Sequence, residues 1–360
     1  MVIIDRYIRN ALLIGVFITL LVLLPLIGFL LLGDELDHVG IGRYTLIDAF
    51  VIIGLSMPNY AHKIFPIAAL IGCLLGLGGL ANNSELNAMR ALGISISRIL
   101  WSILKAGLIA ALFAIILGEV ITPWSEEKIR TLRSELLSDS DVSKTPYGFW
   151  VRDGSTFINI RDILPDKRLK DIYIYEFDIK KRLTHSTHAV SAIYSEPLKA
   201  WSLANVSRST FNRINRFKIK VNHFPKLNWP TLIDSDTLSL LLIDPHKLPL
   251  WKLQSYIEFM ETNGLDATNY LVIFWSKIAT PIVILVMMAL SVPLLFGNMR
   301  KVHTGQRIFF GIIIGISFYI LDSISSQLAV VFGMPPLISA FLPSLICFSG
   351  LLFGLRYQSL

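Results

Sequence analysis

Six stretches of this 360-residue chain are apolar for long enough to cross a lipid bilayer, which excludes a water-soluble fold for most of its length. A spanning helix needs about twenty apolar residues, because the hydrocarbon core offers its backbone no water. The runs are Ala11–Leu32, Pro66–Ala81, Ile99–Ile121, Tyr270–Phe296, Ile308–Ser325 and Leu337–Leu355. Composition agrees, with 53% hydrophobic residues and a mean hydropathy of +0.60. Tyr44–Met57 is also apolar but stops at Pro58, and reads as an outer lead-in to the second span. Pro25 and Gly28 are candidate kinks in the first span. Cys73 and Cys347 fall inside apolar runs, as buried free thiols would. The first run is too long for a cleaved signal and lacks a small-residue cleavage site.

Spans two and three are joined by a short polar break at Asn82, Asn83 and Ser84, then an amphipathic segment closed by Gly93. Ser84 is expected to cap a small helix, Glu85 suits the positive end of its dipole, and Gly93 suits a left-handed stop. A helix of roughly nine residues is too short to stand alone in water and must lie on a surface. That surface is either the lipid headgroups or a partner that drives the protein through this helix.

Residues 123–268 hold most of the charge and no span. Pro123 breaks register, and Trp124–Leu137 reads as an amphipathic helix carrying Arg130 and Arg133 on neighbouring positions of one face. Phe149–Arg152 and Thr156–Ile160 flank Asp153-Gly154, a hairpin signal. Asp171–Asp178, His188–Ser195, Ala200–Phe211 and Phe217–Phe224 are further strands, giving a β domain at about 145–245, sandwich or jelly roll. The fold class is therefore an α-helical membrane protein of six spans, residues 1–122 and 269–360, with an all-β domain inserted between the third and fourth. The positive-inside rule puts both termini and the 84–93 helix in the cytoplasm, with Arg6, Arg9, Arg90, Arg98, Arg300, Lys301, Arg307 and Arg356. The β domain then faces the periplasm.

Catalytic chemistry is not legible. The sequence has no GxxxxGK[ST] loop, HExxH, CxxC or GxSxG, so it predicts no enzyme, metal or cofactor. His185 and His188 lack a third ligand and read as a strand surface. Lys105 and Glu119 lie near span ends and read as snorkelling side chains. Lys277 and Asp322 are the charges deepest in apolar runs. They read either as a headgroup contact or gate, or as snorkelling or a mutual pair.

Seven segments in order carry a resemblance: DRYI (Asp5–Ile8), FPIAALIGCLLGLGGLANNSELNAMRALG from Phe65, GEVITP from Gly118, WSKIATP from Trp275, FGNMR from Phe296, GISFYILD from Gly315 and GMPPLISAFLP from Gly333. Together they resemble the LptF/LptG family of lipopolysaccharide export permeases, nearer its LptG branch, across all six spans. The resemblance implies a half-transporter in the bacterial inner membrane, paired with an LptF-like subunit on an LptB-like ATPase dimer. It would extract lipopolysaccharide from the outer leaflet and pass it through a β jelly roll to LptC-like and LptA-like bridge proteins. Coupling to the ATPase would fall to Ser84, Glu85, Leu86, Met89, Arg90 and Gly93. The end of span one is acidic here (Asp34, Glu35, Asp37), so headgroup contacts are expected at Arg130, Arg133, Lys63 and Lys277. Ile174 and Ile193 are expected to point into the lipid path of the β domain. Two other classes stay open: a permease of another ABC system, for efflux or lipoprotein release, and a non-transporting membrane scaffold.

Overall fold

The computed structural model describes residues 2–137, 149–163, 168–178, 180–195, 200–211, 219–230, 244–262, 266–296 and 304–359. Its six spanning helices are α1 (Val2–Leu36), α2 (Leu46–Asn82), α4 (Ile96–Ile116), α7 (Thr268–Phe296), α8 (Thr304–Phe332) and α9 (Pro336–Ser359). The short α3 (Glu85–Ala91) links α2 to α4, and α5 (Thr122–Leu137) and α6 (Leu250–Thr262) flank the β domain. Three crossings precede that domain and three follow, so both termini and α3 share one end of the bundle.

Helix α2 corrects the expected start of span two. The segment read as a lead-in is its first turns, fixed by a capping box in which Thr45 and Asp48 satisfy each other's backbone N–H. The helix runs 37 residues through Pro58 and Pro66. At 1.5 Å per residue that is about 55 Å, well beyond the hydrocarbon thickness, so it projects from the membrane. It packs on α1 with almost no space between. A Cβ on Gly15 would sit 2.2 Å from the Gly72 carbonyl oxygen, and one on Gly76 2.6 Å from that of Ala11. Small residues four apart let membrane helices approach this closely. Helices α8 and α9 are pinned by Ser325 and Ser339, each hydroxyl donating to the other's carbonyl at 2.6 Å.

Between α4 and α5 the chain does not break. A π turn, Leu117–Ile121, precedes Pro123 and carries the helix through it. The proline ring lacks an N–H and crowds the preceding turn, and one wide turn relieves both problems.

The inserted β domain is one antiparallel meander among the described residues: β1 (Phe149–Asp153), β2 (Thr156–Ile163), β3 (Leu169–Phe177), β4 (Leu183–Ser195), β5 (Ala200–Phe211) and β6 (Ile219–Pro230), paired in that order. Residues 145–148, 164–167, 179, 196–199, 212–218 and 231–243 of the expected jelly-roll stretch lie outside the described residues, the first two of the expected Phe217–Phe224 strand among them. The first hairpin turns through Gly154 at φ +58°, with Asp153 paired to Thr156, so the turn is Gly154-Ser155 rather than Asp153-Gly154.

One row crosses the sheet where pairing lapses. Arg161–Asp171, Asp171–Val190, Val190–Asn205 and Asn205–Pro225 are all missing from ladders that continue on both sides. Asp171 and Asn205 have φ of 55° and 52°, a left-handed state that Asp and Asn tolerate, and Pro225 has no N–H to offer. A residue in that state shifts the phase of the pleat. Buried positions accordingly lie three apart across the row instead of two: Leu169 and Ile172, Ala189 and Ala192, Leu203 and Val206.

Candidate functional sites at the two ends of the bundle

At the terminal end, α3 lies with Leu86 buried and Met89 packed on the core formed by α1, α2 and α4. Ser84 takes the N-cap position but corrects the expected cap. Its φ is 60° and its hydroxyl makes no capping bond, because the chain turns off α2 through a left-handed residue there. Gly93, at φ 87°, is the left-handed stop expected. Arg90 lies 5.8 Å from the Phe296 ring centroid. Glu85 accepts a 2.7 Å hydrogen bond from the Tyr7 hydroxyl. Of the six expected coupling residues, Leu86 and Met89 therefore support the helix from beneath. The outward face is completed by Ala88, Ala91 and Leu92, and Leu92 is 83% exposed. Sequence reading passed over Leu92, although its place just before the stop glycine marks it as the last residue of the helix's outer edge.

The DRYI lead fastens both sides of this loop. Tyr7 holds α3, while Asp5 accepts from Ser102 Oγ at 2.7 Å and pairs with Lys105 Nζ at 2.9 Å and Arg98 Nη2 at 3.3 Å, all on α4. Lys105, expected to snorkel, keeps its side chain 56% exposed and pairs with Asp5.

At the β-domain end, a cavity of about 360 Å³ opens between α2, α7 and α8. Its polar lining includes Asn59, His62, Lys63, Lys277, Asp322 and Gln327. Lys63 and Lys277 are brought together there, but Arg130 and Arg133 are not. Arg130 is exposed on α5, whereas Arg133 is ion-paired to the buried Glu35. Glu35 also accepts from the Tyr44 hydroxyl at 2.7 Å. Burial, then that carboxylate, pushes the Tyr44 phenol above the ordinary tyrosine range. Glu35, at the acidic end of span one, is therefore a counter-charge for α5.

Lys277 pairs with Glu119 at 3.0 Å, not with Asp322. It also donates to the Leu248 carbonyl at 2.7 Å, and its side chain is only 7% exposed. Glu119 sits in the π turn and accepts the Leu250 N–H at 2.6 Å. His62 packs on the same turn: its Nδ1 lies 3.0 Å from the Ala114 carbonyl oxygen, and a Cβ on Gly118 would fall 2.5 Å from its ring. No local pattern signals the Glu119–Lys277 pair, since the partners are 158 residues apart.

In the β domain, Ile174 is buried at 1% exposure, as expected of an inward position. Ile193 is not; it is 54% exposed, on the opposite face. The unpaired row explains the correction, because β4 changes phase at Val190 and turns Ala192 inward in place of Ile193. His188 lies 2.6 Å from Asp171 and His185 3.1 Å from Glu176. No group of three metal-ligating side chains occurs among the described residues.

Six crossings in two sets of three, a small helix in the loop between the second and third, and a β domain inserted at the midpoint define a polytopic membrane protein with one large extramembrane insertion. Comparison with known proteins makes this particular. The model of the lipopolysaccharide export system permease family LptF/LptG matches residues 6–357, and the chain belongs to that family. It is 35% identical to the lipopolysaccharide export system permease protein LptG of Haemophilus influenzae over 342 residues, 95% of each chain. It is 34% identical to LptG of Escherichia coli K12 over the same length, 95% of this chain and 94% of that one. The LptF protein of E. coli K12 matches over 92 residues at 29% identity, 26% of this chain.

Proposed function

We propose that this chain is the LptG-type transmembrane subunit of an ATP-driven complex that lifts lipopolysaccharide from the outer leaflet of the inner membrane. It pairs with an LptF-like subunit, and α3 docks on an LptB-like ATPase dimer that supplies the motion. The β sheet hands lipid to LptC-like and LptA-like bridge proteins. Both termini and α3 are then cytoplasmic and the β domain periplasmic, the arrangement that the short-loop arginines favour. The chain itself performs no hydrolysis; its part is to receive force at one end and bind lipid at the other. The observation that carries this reading is identity of 34–35% to the two LptG proteins along 95% of the chain. The domain division at 1–122, 123–268 and 269–360 follows the same reading.

In this scheme Glu85 and the outward Ala88, Ala91 and Leu92 meet the ATPase, with Ser84, Arg90 and Gly93 shaping the loop and Leu86 and Met89 seating it. Lys63 and Lys277 in the cavity and Arg130 on α5 meet phosphates of the headgroup. Arg133 contributes only when it leaves Glu35. Ile174 lines the lipid path.

The test is copurification from the native membrane followed by mass spectrometry of proteins and lipids. An ATPase and lipopolysaccharide should both be recovered, and Glu85→Ala should reduce ATPase recovery or lipid-stimulated hydrolysis while the chain stays inserted. Recovery of an ATPase without lipopolysaccharide would point to another export system, and recovery of neither to a scaffold.

A further inference from the structure

The two cavity lysines differ in what already holds them. Lys63 is exposed and lies 5.8 Å from the Tyr60 ring centroid, whereas Lys277 is buried and bonded to Glu119 and to the Leu248 carbonyl. Glu119 uses its second oxygen to hold the N–H of Leu250. Leu248 and Leu250 belong to the segment that returns from the β sheet to the membrane and opens α6. One buried pair thus joins the π turn after α4, α7 and the return segment, beside the cavity. Lys247 fastens the same segment to α5 through Glu126 at 2.9 Å.

We propose that the Glu119–Lys277 pair is an anion-responsive latch: a phosphomonoester drawn into the cavity competes with Glu119 for Lys277 and loosens the return segment from the bundle. The proposal rests on the reading that the cavity lysines take a phosphorylated headgroup, and adds what binding there does. An ammonium has three donors, and Lys277 spends two on the latch, leaving one for a cavity anion. A phosphate that engages it must weaken its pull on Glu119. Glu119 lies in a π turn, a rare wide turn that recurs at functional sites. The carboxylate that loses Lys277 is also the one holding Leu250, so a change of charge in the cavity reaches the β-domain connection within a single side chain.

Linkage makes the idea testable. If an anion opens the latch, a latch opened by mutation must bind the anion more tightly by the same factor. The complex is reconstituted in nanodiscs with spin labels at Ser255 on α6 and Lys128 on α5, and distances are read with lipopolysaccharide, with dephosphorylated lipopolysaccharide and with inorganic phosphate. In the wild type, lipopolysaccharide should shift the distance distribution and the dephosphorylated lipid should not. Glu119→Gln keeps an acceptor for Leu250 but drops the charge; it should show the shifted distribution without ligand and bind lipopolysaccharide at least about fivefold tighter, the low end for coupled sites. Glu119→Asp, which lengthens the pair, should move both readings the same way if the first variant fails to fold. A shift with inorganic phosphate alone would support the latch and assign it to a free anion rather than a lipid. A wild type that binds lipopolysaccharide with unmoved labels overturns the latch, as does a Glu119→Gln protein with wild-type affinity. If Lys63→Ala and Lys277→Met both leave lipopolysaccharide affinity unchanged, the cavity reading itself falls, and the latch falls with it.

Discussion

The two ends of the bundle are tied by similar groups in different surroundings. At the terminal end, Asp5 gathers Arg98 and Lys105, whose side chains are 41% and 56% exposed, and Tyr7 holds Glu85 at the surface. At the β-domain end, Glu119 and Lys277 are paired almost out of contact with solvent. Exposed pairs are worth little because water replaces either partner readily, whereas a buried pair is costly to break once formed. The contacts of the terminal end can therefore be exchanged at small cost. The buried pair at the β-domain end resists such exchange.

That contrast can be broken most sharply at Lys277. Lys277→Met should strand the Glu119 carboxylate and lower stability by about 3–5 kcal/mol, read as a fall in thermal midpoint in detergent. A loss below about 1 kcal/mol would place the pair with the exposed ones. Tyr7→Phe should leave the thermal midpoint nearly unchanged while freeing Glu85, so binding to the proposed ATPase partner should strengthen slightly or hold. A collapse of assembly in that variant would show that Tyr7 supports α3 rather than merely occupying its carboxylate.

The smallest effect tests whether exposure, rather than the end of the bundle, decides. Asp266 is exposed at the β-domain end, and the hydroxyl and then the backbone N–H of Thr268 hold its carboxyl below the usual range. A depressed folded value means the cap contributes fully above the unfolded pKa and is lost as pH falls through the folded one. Asp266→Asn should remove a weak stability step confined to that acid range, visible in hydrogen exchange at the start of α7. A step as large as that of Lys277→Met would defeat the distinction.

Much of this was legible in the chain. Six spans follow from run length, the stop at Gly93 from its residue type, and most strands from alternation, since each is a local property. What was not legible depends on packing. Snorkelling was the natural reading of Glu119 and Lys105, because nothing in their neighbourhoods names a partner on another helix. Ser84 has the right residue type for a cap but sits where the chain must turn left-handed. Ile193 was lost because alternation was counted through a row that interrupts it.

That interrupted row constrains how the β domain can vary. Every strand from β2 to β6 carries its own residue in the row, so the sheet is creased like a folded card and the two leaves keep separate counts of inside and outside. Removing Asp171 alone would return β3 to plain alternation and leave it without the phase shift that β4 and β5 keep. Length changes at the crease are thus a matter for all five strands together, whereas the hairpin ends can lengthen or shorten one at a time. The sheet's tolerance for insertion and deletion runs along its edges and stops at the crease.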